Sequence, residues 1–118
     1  MSNTDGGPYI MVSVAEARPG LPVVTACGEI DNSSCDLVVR RWTAAMAGQP
    51  NRLIVDFGAV TFFGSAGVTA LLRLQHLCTE RSVKLAVVAL RPVQRVLDIV
   101  GLDKTFATFG SLDEAVSA

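Results

Sequence analysis

The spacing of apolar residues changes several times along the chain, and each change marks an element. "YIMVSVAEA" (9–17) alternates loosely, as a strand with one buried face does. "RPGLP" (18–22) is turn chemistry and "VVTACGEI" (23–30) reads as a second strand, so the pair forms a hairpin. Asp31 then opens a helical stretch in which Cys35, Val38, Val39, Trp42, Ala45 and Met46 make one continuous apolar stripe. "GQPN" (48–51) ends it, and "RLIVDF" (52–57) is nearly all apolar, as a strand covered on both faces is. A loop from Gly58 to Ser65 follows, then a helix from about Ala66 to Arg81. Its polar residues Thr69, Arg73, His76 and Glu80 fall on one narrow stripe, so the rest of that helix is buried. "VKLAVVAL" (83–90) is another buried strand; Pro92 opens a third helix, with Val93, Val96, Leu97 and Val100 inward and Gly101 as its stop. "KTFATF" (104–109) is a short last strand, and Ser111 with Glu114 forms a capping box for a terminal helix.

The order β-β-α-β-α-β-α-β-α predicts one α/β domain: a mixed, mostly parallel sheet with an N-terminal β-hairpin and about four helices. Residues 1–8, polar and glycine-rich, are expected to be a flexible N-terminus, leaving 9–118 as the domain. A chain of 118 residues, half of them hydrophobic, has enough apolar surface for a single core. The net charge of −1, with no Lys/Arg cluster among aromatics, argues against nucleic acid as a partner. No basic segment precedes an apolar one at the start, and no apolar run is long enough for a membrane span. Cys27, Cys35 and Cys78 are odd in number and widely spaced, with no metal-ligand pattern. They are expected to be small core residues in a reducing cytoplasm, with redox gating as the alternative.

The chemistry concentrates in "VTFFGSAGVTALL" (60–72), where Ser65 sits between two glycines at the junction of a strand and a helix. Sites on open α/β sheets gather at the carboxyl ends of strands, and Asp31, Asp56, Gly58–Ser65 and Arg91 share that edge. Ser65 is either the cap of the following helix or a reactive position. A hydrolase nucleophile fails: position 63 is Phe rather than Gly, and the single histidine, His76, lies eleven residues along the same helix. That is about 16 Å, far beyond hydrogen-bond reach. A phosphate loop fails for want of its lysine and its length. A phosphoryl group on Ser65, by contrast, would sit at the positive end of a helix dipole and add about −1.5 to −2 charges to an apolar surface. No catalytic residue, cofactor or metal site is assigned, and an enzyme is not expected. Asp31 and Asp56 have plainer readings, as the cap of the first helix and as an acceptor for loop amides. Of the adjacent Phe62 and Phe63, one is expected to fill the core, and the other has two readings, an ordinary aromatic or an exposed anchor for a partner.

Four stretches resemble the anti-sigma factor antagonists, whose domain is called STAS: "VVTACGEID", "LIVDFGAVTFFGSAGVTALL", "KLAVVALRPVQRVLDIVGL" and "FATFGSLDEAV". The resemblance implies partner switching in the cytoplasm. An anti-sigma factor that is also a serine kinase is bound, its sigma factor is released, the antagonist's serine is phosphorylated, and a phosphatase resets the cycle. Ser65 matches the phosphorylated serine, Gly67 the glycine opening the helix, and Asp31 the aspartate beside the serine. The partner-binding set expected from this is Asp31, Phe63, Gly64, Ser65, Ala66, Gly67, Thr69 and Arg73, with a second copy of the chain as a further candidate partner. Gly64 departs from the family's usual Asp and Ala66 from its usual Ser or Thr. The first departure supports an alternative, a STAS scaffold in a larger regulatory or transport-associated complex working without phosphorylation; a separate alternative is redox gating, in which oxidised cysteines change partner affinity.

Overall fold

The computed structural model describes residues 9–118 and the backbone of residues 3–7. Its strands are β1 (Asn3–Gly7), β2 (Ile10–Arg18), β3 (Leu21–Ile30), β4 (Arg52–Phe63), β5 (Lys84–Val88) and β6 (Ala107–Phe109). The helices are α1 (Cys35–Ala47), α2 (Ser65–Glu80), α3 (Arg91–Ile99) and α4 (Leu112–Ser117). The six strands lie in sequence order across one sheet. The pairs β1–β2 and β2–β3 are antiparallel; β3, β4, β5 and β6 run parallel to one another.

This order follows from connection chemistry. Pro19 and Gly20 close the β2–β3 hairpin between the paired residues Arg18 and Leu21, with Gly20 at φ 82°. Each later strand is added on the same side of the last through a helix. Because such crossovers share one hand, α1, α2 and α3 all pack on one face. There Val38, Trp42, Leu71, Leu74, Val93 and Leu97 bury against Val12, Val24, Val55, Phe57 and Val87. The terminal helix α4 has no further strand to reach and covers part of the other face, over Val23, Ile54, Ala86 and Val88. Arg52 holds it there, donating to the carbonyls of Ala115 (2.7 Å) and Val116 (3.3 Å).

The expected elements are present, with four differences. Asn3–Gly7 pairs with β2 as an edge strand, although "NTDGG" has no strand propensity; ladder pairing alone makes it one. The expectation of flexibility at Met1, Ser2 and Pro8 lies outside the described residues. Residues 58–63 are not a loop but the second half of β4, still paired with β3 up to Ile30↔Phe63. Helix α1 begins at Cys35 rather than Asp31, and the last strand contracts to three residues. Two local signals behave as expected. Gly101, at φ 77°, ends α3 while Leu102 N–H donates to Leu97 O at 2.8 Å. Ser111 Oγ accepts from Glu114 N at 3.2 Å, and Glu114 reaches back to Gly110 N at 3.3 Å.

Candidate functional site

The long β4 sets up the site. Between Thr25↔Asp56 and Cys27↔Ala59, and again between Gly28↔Val60 and Glu29↔Phe62, β4 carries one residue more than β3. Each extra residue is a bulge. Asp56 satisfies the first, its Oδ1 accepting from Gly58 N at 2.8 Å, which is the amide-binding role expected of it. Gly28 sits at φ 113°, where a Cβ would collide with the Tyr9 carbonyl, so only glycine fits. Together the bulges turn the inward period of a strand from two into three: Phe57, Val60 and Phe63 all face the helices.

The consequence reverses one sequence expectation. Phe63, placed among the partner-binding residues, is only 3% exposed, its ring 5.2 Å from that of Phe57. The exposed aromatic is Phe62, at 51%. Gly67 is likewise interior: a Cβ there would meet Phe63 Cε1 at 2.7 Å and Ile30 Cγ2 at 3.0 Å. Phe63 and Gly67 therefore seat the first turn of α2 on the sheet instead of touching a partner.

Ser65 is not the helix cap. Gly64, at φ −88° and ψ −178°, holds that position, and its carbonyl accepts from Gly67 N (3.0 Å) and Val68 N (3.2 Å). Gly64 has no side chain to offer the free N–H groups of the first turn. Ser65 is the first helical residue and is exposed. Among the described residues its hydroxyl has no hydrogen-bond partner.

Asp31 comes to the same edge because Gly64 N donates to Ile30 O at 2.9 Å, joining the two turns through one backbone bond. It does not cap α1 by its side chain; it organises the turn before it. Its Oδ1 accepts from Ser33 Oγ (2.7 Å), Ser33 N (2.9 Å) and Ser34 N (3.1 Å). The Ser33 hydroxyl holds the carboxyl below its ordinary 3.8; desolvation opposes it, and the Ser33 and Ser34 amides and the Ser34 hydroxyl add to the lowering. Asp31 is thus a fixed negative charge at neutral pH.

Ser65, Ala66, Thr69 and Arg73 line one side of a groove of about 590 Å³, faced across it by Cys35, Asp36, Val39 and Trp42 of α1. Cys35 ties its two walls, its thiol lying 3.5 Å from Ala66 O. Burial pushes the Cys35 thiol up, Asp36 adds to this, and Arg73 opposes it; burial raises Cys78 as well. Both stay protonated and poorly nucleophilic. Cys27 is exposed, against the expectation of a core residue: strand alternation turns Ala26 to the helices and Cys27 to the uncovered face. His76 continues the exposed stripe of α2 and pairs with Glu80 at 2.7 Å, away from Ser65. Among the described residues no cluster of His, Cys, Asp or Glu could hold a metal, and no helix is long and apolar enough to cross a membrane.

Sequence reasoning left open which of Phe62 and Phe63 is exposed, and did not place Asn32 and Asp36 beside the groove. The spacing of three in Phe57, Val60 and Phe63 was the available signal for Phe62.

Comparison with known proteins gives the same picture over nearly the whole length. The chain is 35% identical over 109 residues, 92% of its length and 88% of the relative's, to the anti-sigma-F factor antagonist RsfB of Mycobacterium tuberculosis. An anti-sigma factor antagonist from Mycobacterium paratuberculosis superposes with a TM-score of 0.83 at 32% identity, covering 92% of each chain. The unphosphorylated form of the antagonist SpoIIAA has the same fold, with a TM-score of 0.69 at 18% identity over 90% of this chain and 93% of that one. Residues 13–115, from the middle of β2 into α4, match the STAS domain, and this chain belongs to that family.

Proposed function

We propose that this chain is an anti-sigma factor antagonist whose binding surface is the edge around Asp31, Gly64, Ser65 and the outer face of α2. Binding there withdraws the anti-sigma factor and frees its sigma factor, in the cytoplasm where sigma factors act. The observation that carries the reading is the Ser65 hydroxyl, exposed on the first turn of α2 with no partner among the described residues. The names of the mycobacterial relatives support the choice of partner.

Phosphorylation of Ser65 is the proposed off-switch. The anti-sigma factor acts as kinase: the Ser65 oxygen bonds to the γ-phosphorus of ATP, ADP leaves, and the hydroxyl proton is lost. The dianion formed is compatible with the protein itself, because free N–H groups of the first turn face it. It is incompatible with a docked partner, which would have to desolvate about −1.5 to −2 charges. A phosphatase resets the surface. The chain itself is a binding protein in this scheme, with its one histidine paired to Glu80 about 16 Å along the helix.

Titration of the purified pair tests this. Ser65→Ala is expected to bind the anti-sigma factor as wild type does, and Ser65→Glu to bind at least about tenfold more weakly. Equal affinity for wild type and both variants would remove the switch. A second reading, binding without phosphorylation, draws on Gly64, which leaves the helix start without a side-chain acceptor beside the serine; an unmodified Ser65 after incubation with the anti-sigma factor and ATP would favour it.

A further inference from the structure

Phe62 is an apolar, exposed residue beside the half-buried Gly64. Strand pairing with Glu29 holds the Phe62 backbone, and the neighbouring Phe63 is locked in the core. The Phe62 ring leans over Gly64, with Cε2 only 3.1 Å and Cζ 3.5 Å from where a Cβ of residue 64 would lie. A Cβ at 64 would make the ring shift by a few tenths of an ångström, so the ring and the Gly64 backbone are in close contact. Next to it the uncovered face of the sheet continues apolar, with Cys27 and Ala59 paired across the ladder and Met11 beyond them, all exposed. From Ala59 to Gly67 no side chain is charged. The nearest carboxylates are Glu29, opposite Phe62 in the ladder, and Asp31 just past the end of β3, already engaged by Ser33 and Ser34.

We propose that Phe62, held against Gly64, is a recognition residue for the anti-sigma factor, which receives the ring in an apolar recess. The inference rests on the functional reading above. Phe62 and Ser65 are three residues apart, so their Cα atoms lie within about 11 Å. A specific protein interface covers about 800 Å² on each partner, so a footprint centred on Ser65 is wide enough to include Phe62 at the edge of the sheet. An exposed aromatic whose backbone is already held by strand pairing has only its two side-chain torsions to order on binding, and aromatic residues are enriched among those that dominate interfaces. Gly64 contributes indirectly, as a positioning residue.

A double-mutant cycle with the purified cognate anti-sigma factor, followed by isothermal titration, tests both roles. Phe62→Ala is expected to weaken binding at least about tenfold. Gly64→Ala is expected to weaken it several-fold in the wild-type background and to have no effect in the Phe62→Ala background, because the ring it displaces is gone. Phe62→Thr, which keeps strand propensity, repeats the measurement should the alanine variant fold poorly. Wild-type affinity in a folded Phe62 variant, or an undiminished Gly64→Ala effect without the ring, would overturn the proposal. If Ser65→Glu still releases the partner in that case, the functional reading survives alone; absence of binding by the wild type would overturn both.

Discussion

Two neighbouring turns begin helices at the same sheet edge, and both carry serine, yet they are built in opposite ways. The β3–α1 turn is closed. Ser34 is only 8% exposed; its Oγ donates to Glu29 O at 2.7 Å and accepts from Asp31 N at 3.0 Å. Ser33 and Asp31 complete the network. The β4–α2 turn is open: a bare glycine cap, a free serine and an aromatic ring lying over the glycine. A hydroxyl used for structure is consumed by its bonds, whereas one left over at a helix start stays exposed on the surface. The closed turn holds its fixed charge beside the open one, and the single bond from Gly64 N to Ile30 O keeps the two aligned.

The largest expected effect is on the closed turn. Ser34→Ala strips a buried carbonyl and an amide of their partner and should destabilise the fold by about 1–3 kcal/mol, read as a lower midpoint in urea unfolding. A midpoint unchanged from wild type would mean that the network contributes nothing. Next comes acid. Because Asp31 has its folded-state pKa below the unfolded 3.8, the folded protein binds that proton less tightly. Its contribution is complete above 3.8 and disappears as pH falls through the lower folded value. Thermal midpoints of wild type and Asp31→Asn should therefore differ near neutral pH and converge well below 3.8. A gap that persists in acid would assign the effect to shape instead of charge. The smallest effect belongs to the open turn: Ser65→Ala should change stability by less than about 0.5 kcal/mol. A loss as large as that from Ser34→Ala would make the two serines equivalent and abolish the distinction.

Much of this protein was legible from local pattern. The apolar stripe placed Trp42 inside, Gly101 stopped α3, Ser111 capped α4, and Asp56 accepted from a nearby backbone amide, though one at a bulge within β4 and not in a loop. Each depends on residues a few positions apart. What pattern did not supply was the ladder between β3 and β4. Two extra residues in β4 shift the register twice, so the alternation that would orient Phe62 and Phe63 no longer holds along the strand. Exposed Cys27 is a related case, since only packing decides that α4 leaves that part of the sheet uncovered.

By itself, then, the sequence determined the kinds and order of the elements and which edge gathers the small and polar residues, because helix and strand periods and caps are short-range. The tertiary structure alone decided that Phe62 is outside and Phe63 inside, that Gly64 rather than Ser65 caps α2, and that Asp31 is spent on its own turn. Those choices depend on register between strands more than twenty residues apart, where one inserted residue reverses every side chain after it.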